Sequence, residues 1–278
     1  MNVDERFAAH VRDWDVKIDD IRTTESSQLG FGTRDGRAVV LKVIRKENGE
    51  EWNCGDVLEA FRGEGMIRPI QYTAGAVLLP RLQPGQELVP LCLDGRDDEA
   101  TEIIASLIAR MSFAPRLLDG VSAVDRLLPE FAQFREGAAG FIPTSYVDRA
   151  EALFSQLCAT QRNARLLHGD LHHYNVLSDD AAGWVVIDPW GVIGEVEFEI
   201  GAALRNPIDA PHLVSDRLMI ERRLKIYDNR LNINADRALK WAFAMTVLAI
   251  LWPSDEKTGV EFRVPFAYAA RAMHDLLR

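Results

Sequence analysis

The sequence predicts an α+β fold of two lobes, a β-rich N-terminal lobe and a mainly helical C-terminal lobe holding one β-hairpin. Three observations predict it. Residues 17–79 read as strands around a single helix. A Pro- and Gly-containing stretch, Pro80-Arg81-Leu82-Gln83-Pro84-Gly85, then interrupts the pattern. Beyond it helical periodicity dominates, broken where two apolar runs flank a polar turn between about 165 and 188. The boundary falls at Leu82, giving lobes 1–82 and 83–278, and 278 residues suffice for both.

In chain order, Lys17 to Thr23 and Gly30 to Thr33 have strand character, and Asp35-Gly36 is a hairpin turn signal. Residues 38–44, Ala-Val-Val-Leu-Lys-Val-Ile, form a β-rich run with one charge inside it, Lys42. Residues 50–62 read as a helix ended by Gly63 and Gly65. Met66 to Tyr72 and Ala76 to Leu79 read as two further strands. Helical periodicity then marks 98–113, 123–136, 146–161, 215–229, 234–252 and 261–277.

Composition excludes several classes. The formal net charge of −10 argues against a nucleic-acid partner and favours a cationic ligand. Cys54, Cys92 and Cys158 are far apart and in no C-x-x-C pair, which fits a reducing cytoplasm and not a structural zinc site. The charged first fifteen residues lack the apolar core of a signal peptide. The longest apolar run, Trp241 to Trp252, is closed by Pro253 and is too short to span a bilayer. A cytoplasmic protein without a membrane partner is the expectation; no feature assigns an oligomeric state.

The chemistry concentrates in Leu166 to Leu177 and, after the turn Ser178 to Gly183, in Trp184 to Trp190. A turn centred near Ala181-Ala182 would put Asn175 opposite Asp188. Two oxygen-bearing side chains at one end of a hairpin suit Mg²⁺, which takes few protein oxygens and leaves positions for phosphate. Asp170, five residues before Asn175, can face the same point and accept a hydroxyl proton.

His168-Gly169-Asp170-Leu171-His172-His173-Tyr174-Asn175 resembles the kinase catalytic loop H-R-D-L-x-x-x-N, with Asp188-Pro189-Trp190 where D-F-G would stand. The resemblance implies a protein-kinase-like fold, Asp170 as catalytic base, Asn175 and Asp188 as Mg²⁺ ligands, Lys42 on the nucleotide phosphates, and ATP or GTP as donor. Gly169 replaces the arginine with which protein kinases read a phosphorylated loop, and residues 191–214 contain no Ser, Thr or Tyr. Both departures point to the small-molecule branch of the fold. H-G-D-L-H-H-x-N followed by I-D-P-x-G is similar to the aminoglycoside phosphotransferase family, and within it to the streptomycin 6-kinase and hydroxyurea phosphotransferase group. Gly191 to Glu195, Arg205-Asn206-Pro207 and the hinge Leu79 to Leu82 extend the likeness.

That likeness implies transfer of a nucleotide γ-phosphate to a hydroxyl of an aminoglycoside-type antibiotic, the 6-hydroxyl of streptomycin first. Kinases of the same fold acting on choline or an amino sugar, and a non-catalytic nucleotide-binding protein, are the alternatives. A metal hydrolase built on His168, His172 and His173 is a further rival, although in that class two histidines precede the Asp.

The remaining site candidates follow from position. A lysine among Val40, Leu41 and Val43 needs a carboxylate partner; Glu51 is the candidate, with Glu50 and Glu59 as rivals. Ser26 and Ser27 lie where a turn would cover phosphates, although no G-x-G-x-x-G is present. Pro80 can offer its carbonyl, and Leu82 its N–H, to the nucleotide base. His172 and His173 are candidate substrate contacts. Glu195, Glu197, Glu199 and Asp209 form an acidic cluster that could receive amine or guanidinium groups, or simply a solvated face.

Overall fold

The computed structural model describes residues 1–112, 114–115, 117–253 and 256–277, without the side chains of residues 50 and 256–259. Its N-terminal part runs α1 (Val3–Asp13), β1 (Lys17–Thr23), β2 (Ser27–Arg34), β3 (Arg37–Ile44), α2 (Cys54–Ala60), β4 (Gln71–Thr73) and β5 (Ala76–Pro80). The rest comprises β6 (Pro84–Glu87), α3 (Val89–Leu93), α4 (Asp97–Met111), α5 (Leu128–Gln133), α6 (Thr144–Ala159), β7 (Arg165–Leu167), β8 (Val176–Asp179), β9 (Gly183–Val186), β10 (Val192–Gly194), α7 (Val196–Leu204), α8 (Pro211–Ser215), α9 (Arg217–Leu231), α10 (Ala235–Leu251) and α11 (Glu256–Leu276).

The five N-terminal strands form an antiparallel sheet in the order β1-β2-β3-β5-β4. Alternation along β3 and β5 decides what each face meets. Val39, Leu41, Val43, Ala76 and Leu78 pack with Phe7, Trp14 and Val16 beneath α1. Ile44 and Val77 face the other way and pack with Cys54, Val57, Leu58 and Phe61 of the α2 region. Lys42 shares that second face, and the strand period is what aims it away from α1. Leu41 is fully buried, so Leu41→Ala would cost about 2–5 kcal/mol. A capping box starts α1: the Glu5 amide donates to Asn2 Oδ1 at 2.9 Å and the Asn2 amide to Glu5 Oε2 at 3.0 Å.

The C-terminal part is organised around α10, whose residues from Trp241 to Leu251 are all buried. The Trp241 ring meets Phe154 and Phe198 edge-on, with centroids 5.2 and 5.3 Å away. The β8–β9 hairpin takes β6 as a third strand, and β7 pairs with β10. Among the described residues no helix is long and apolar enough to cross a membrane.

Several elements depart from the sequence expectation. The helix expected over 50–62 is a 3-10 turn, Glu50–Asn53, followed by α2; Met66 to Ile70 lie outside any strand. Residues 123–136 break into a 3-10 turn, α5 and a second 3-10 turn. Short α3 and α8 and the N-terminal α1 were not expected, and Phe113, at the end of one expected helix, lies outside the described residues. The hairpin register also differs. Asp179 pairs with Gly183 and Val176 with Val186, so the turn centres on Ala181 alone. Ile187, not Asp188, therefore comes opposite Asn175, its amide donating to the Asn175 carbonyl at 2.9 Å.

Candidate active site

The one-residue register offset would send the Asp188 side chain to the wrong face of the hairpin. The backbone corrects this: Asp188 has φ +60°, a left-handed conformation uncommon outside glycine. Asp188 thereby enters the cleft between sheet and helices and forms an ion pair with Lys42. Lys42 Nζ also lies 2.7 Å from Glu51 Oε2. The 3-10 turn before α2 carries Glu51 to this point. Burial alone would lower the Lys42 pKa; Asp188 and Glu51 outweigh it and hold the amine charged. Glu59 pairs instead with Arg68 at 2.8 Å, and the Glu50 side chain lies outside the described residues.

Above the hairpin, Leu29, Val40, Val77, Leu79, Leu177 and Ile187 line an apolar slot of about 300 Å³ with Lys42 and Asp188 at one end. Pro80 and Leu82 border it. The intervening Arg81 amide is engaged by the sheet, donating to the Ala38 carbonyl at 3.0 Å. At the β1–β2 turn, the Ser27 amide donates to Thr24 Oγ1 at 3.0 Å, and its hydroxyl lies 2.9 Å from that atom. Ser27 is thus buried and spent on the turn, which corrects its reading as a phosphate contact. Ser26 is exposed, its hydroxyl 3.5 Å from Glu51 Oε2.

Below the slot opens a second cavity of about 570 Å³ that Asp170, His172, Asn175, Asp188, Glu51 and Glu25 border on one side. Trp190, Trp252, Phe262 and Phe266 supply aromatic surface. Asn175 Nδ2 donates to the Asp170 carbonyl at 3.0 Å, which commits the nitrogen and leaves the side-chain oxygen as the atom that could meet a cation. With the half-exposed Asp188 carboxylate this makes an all-oxygen donor set, which fits Mg²⁺.

Asp170 is bracketed. Arg205 Nη2 donates to its Oδ1 at 2.9 Å, and His172 Nε2 lies 3.3 Å from its Oδ2. Burial would raise the carboxyl, but His172 and Arg205 prevail and hold it well below the usual carboxylate range. The loop is braced from behind by His168, which is fully buried. Its Nε2 lies 2.8 Å from the Ile187 carbonyl and its Nδ1 accepts from the Asp170 amide at 3.2 Å. These partners require the neutral Nε2–H tautomer, in keeping with a pKa that burial lowers to about 4.

The remaining acidic and histidine candidates lie elsewhere. Glu199, on α7, is buried and accepts from the Gly169 amide at 3.2 Å, bracing the catalytic loop from within; burial pushes its carboxyl up to about 8. Glu195 is buried, pairs with Arg237, and accepts from Trp241 Nε1 at 2.5 Å. Glu197 accepts from the Asn234 amide at 3.2 Å. None of the three borders the cavity, so their reading as substrate contacts is corrected: Glu195 and Glu197 tie α7 to α10 and its N-cap, and Glu199 ties α7 to the loop at Gly169. Asp209 accepts from the Tyr174 hydroxyl at 2.7 Å. His173 turns away from the cavity into a buried group with Cys92 and Asp97. That group is the sole cluster of three potential metal ligands among the described residues, and it excludes His168 and His172, so the histidines do not converge as a metal hydrolase needs.

Arg205 was missed as a site residue. It appeared in the sequence only as part of a family likeness; no spacing rule links it to a loop thirty-five residues earlier.

A β-sheet lobe with a buried lysine paired to a glutamate, set over an Asp/Asn/Asp group on a helical lobe, defines a phosphotransferase of the protein-kinase-like fold. The family model of the aminoglycoside/hydroxyurea antibiotic resistance kinases matches residues 13–257, and the chain belongs to that family. Over 242 residues it is 33% identical to a streptomycin 3''-kinase of Klebsiella pneumoniae, covering 84% of this chain and 86% of that one. It is 27% identical to a streptomycin 6-kinase of Streptomyces griseus over 252 residues, covering 87% and 80%. In three dimensions it resembles the choline kinase LicA from Streptococcus pneumoniae, with a TM-score of 0.66 at 13% identity, covering 98% of this chain and 99% of that one. At that identity the last likeness speaks for the fold alone.

Proposed function

We propose that the protein is an ATP- and Mg²⁺-dependent kinase that phosphorylates a hydroxyl of an aminoglycoside-type cation, with streptomycin as first substrate. The observation that carries this reading is the bracketed Asp170 carboxylate, which shares one cavity with the Asn175 and Asp188 oxygens and with the acidic Glu25 and Glu51.

In this mechanism the apolar slot takes the nucleotide base, with the Pro80 carbonyl and Leu82 N–H at its edge and Ser26 near the phosphates. Residues 1–82 then act as the nucleotide lobe and 83–278 as the substrate lobe. Lys42, released from Asp188 as phosphate arrives, neutralises phosphate oxygens while Glu51 keeps it in place. Asn175 and Asp188 would hold Mg²⁺, which would supply positive charge to offset the negative charge of the phosphate oxygens. Asp170 orients the acceptor hydroxyl in line with the γ-phosphorus. As the new O–P bond forms and the bond to the leaving ADP oxygen breaks, the hydroxyl proton passes to Asp170. A carboxylate held so strongly ionised is a weak base, which suits a loose transition state in which aim matters more than early proton removal.

Negative charge at the cavity favours a cation over a neutral acceptor. ATP as donor and three free cysteines accord with a cytoplasmic protein. Within streptomycin, the sequence motifs favour the 6-hydroxyl, whereas the 33% identity to a 3''-kinase favours the 3''-hydroxyl.

The test is Mg²⁺-dependent ATP and GTP consumption against streptomycin, other aminoglycosides, choline, amino sugars and hydroxyurea, with ³¹P and ¹H NMR of the product to locate the phosphate. Streptomycin-stimulated turnover that Asp170→Ala abolishes while nucleotide still binds is the expected result. Turnover that survives Asp170→Ala would remove Asp170 from its role, and stimulation by choline alone would replace the acceptor.

A further inference from the structure

Asp170 is 42% exposed at the wall of a wide cavity, and within its own loop His172 meets one side of the carboxylate, with Nε2 3.3 Å from Oδ2. Arg205 touches the carboxylate as well, through Nη2 at 2.9 Å, from a largely buried position. Its side chain is 7% exposed, and Asp170 is its ion-pair partner among the described residues. Its guanidinium lies over the Phe266 ring, 5.5 Å from the centroid. The flanking backbone is anchored on both sides. Asn206 Nδ2 donates to the Ala202 carbonyl at 2.9 Å, and the Asn206 carbonyl accepts from Arg223 Nη1 at 2.8 Å. The preceding helix, α7, also holds the catalytic loop through Glu199 and the Gly169 amide. α7 therefore fixes the loop backbone through Glu199, and the residue that caps its C-terminus, Arg205, meets the Asp170 side chain.

We propose that Arg205 is the positioning residue for the acceptor-binding carboxylate. Its charge pins Oδ1, so that Oδ2, on the His172 side, is left to take the acceptor proton. The planar guanidinium, backed by Phe266, fixes direction as well as distance; a lysine ammonium supplies charge without that geometry. This role rests on the kinase reading of the site.

The experiment compares Arg205→Ala and Arg205→Lys with the wild type by steady-state kinetics, chemical rescue and crystallography. A carboxylate displaced by about 1 Å should lower kcat roughly 10²-fold. The KM for nucleotide should hold, since Arg205 does not border the nucleotide slot. Millimolar methylguanidinium should restore part of the activity of Arg205→Ala and none of that of Asp170→Ala. The crystal structure of Arg205→Ala should show Asp170 in a different rotamer. Unchanged kcat, or an Asp170 side chain that keeps its wild-type position without Arg205, overturns the proposal. Should the wild type phosphorylate no acceptor, the kinase reading fails, while the rotamer comparison still judges the positioning claim.

Discussion

Asp97 and Arg223, 126 residues apart, form a two-point ion pair inside the helical lobe, with Nη2–Oδ1 at 2.5 Å and Nε–Oδ2 at 2.9 Å. Both side chains are at most 5% exposed. Arg223 also donates Nη1 to the Ala203 and Asn206 carbonyls, so the pair joins α4 and α9 to the end of α7, beside Arg205. Burial would raise the Asp97 carboxyl, but its hydrogen bonds to Arg223 and the arginine's charge outweigh that and lower it.

Removing one partner strands the other charge in the core. Asp97→Ala should therefore destabilise the protein by about 3–5 kcal/mol. Urea unfolding of Asp97→Ala beside Asp97→Ala/Arg223→Met checks this, since the double variant removes both charges and should recover much of the loss. A single variant as stable as the wild type would deny the pair its structural weight.

Gly191 has φ +79°, and a Cβ there would stand 2.7 Å from Val57 Cγ2 on α2. Strain and overpacking together should make Gly191→Ala cost about 1–3 kcal/mol. Because α2 continues from the turn bearing Glu51, the KM for nucleotide should rise as well. Thermal unfolding and the nucleotide KM are the two measurements; an unchanged KM would show that α2 accommodates the methyl without moving Glu51.

Lys42 has two carboxylates around it and little exposure, so Lys42→Met leaves Glu51 and Asp188 facing each other without a cation. Nucleotide turnover should fall roughly 10²-fold or more, as for loss of one preorganised electrostatic contact. Asn175→Ala should instead raise the Mg²⁺ concentration needed for half-maximal rate. Rate against Mg²⁺ in both variants separates a phosphate-side defect from a metal-side one.

His168 supplies a pH dependence of known sign. Its folded pKa is about 4, below the unfolded value near 6.5. The unfolded chain then binds the extra proton between those values, so this contribution is full above about pH 6.5 and is lost as pH falls toward 4. Glu199 has the opposite slope, since a carboxyl raised to about 8 gives stability that is lost as pH rises through that value. The difference in unfolding free energy between wild type and His168→Gln, measured from pH 7 to pH 4.5, cancels the Glu199 term. It should shrink on acidification by roughly 2 kcal/mol; a constant difference would mean that His168 is not buried neutral.

The sequence by itself determined what short-range chemistry can specify. Strand alternation set Lys42 against Leu41 and Val43, the polar turn made the β8–β9 hairpin, and the five-residue spacing put Asp170 and Asn175 on one loop. Asn2 and Glu5, three residues apart, are the pair that caps α1. Tertiary structure decided the rest. In α7, residues Phe198 to Leu204 are buried on every side, so no amphipathic period marks the helix. Only packing could show that Glu195 and Glu199 point inward to Trp241 and Gly169 rather than to a substrate. Packing likewise turned His173 toward Cys92 and Asp97, and brought Arg205 across thirty-five residues to Asp170. A carboxylate carries the same charge in the sequence whether it will brace a loop or meet a ligand. Which it does depends on the donors that distant segments bring to it, because a buried charge is stable only where those partners arrive.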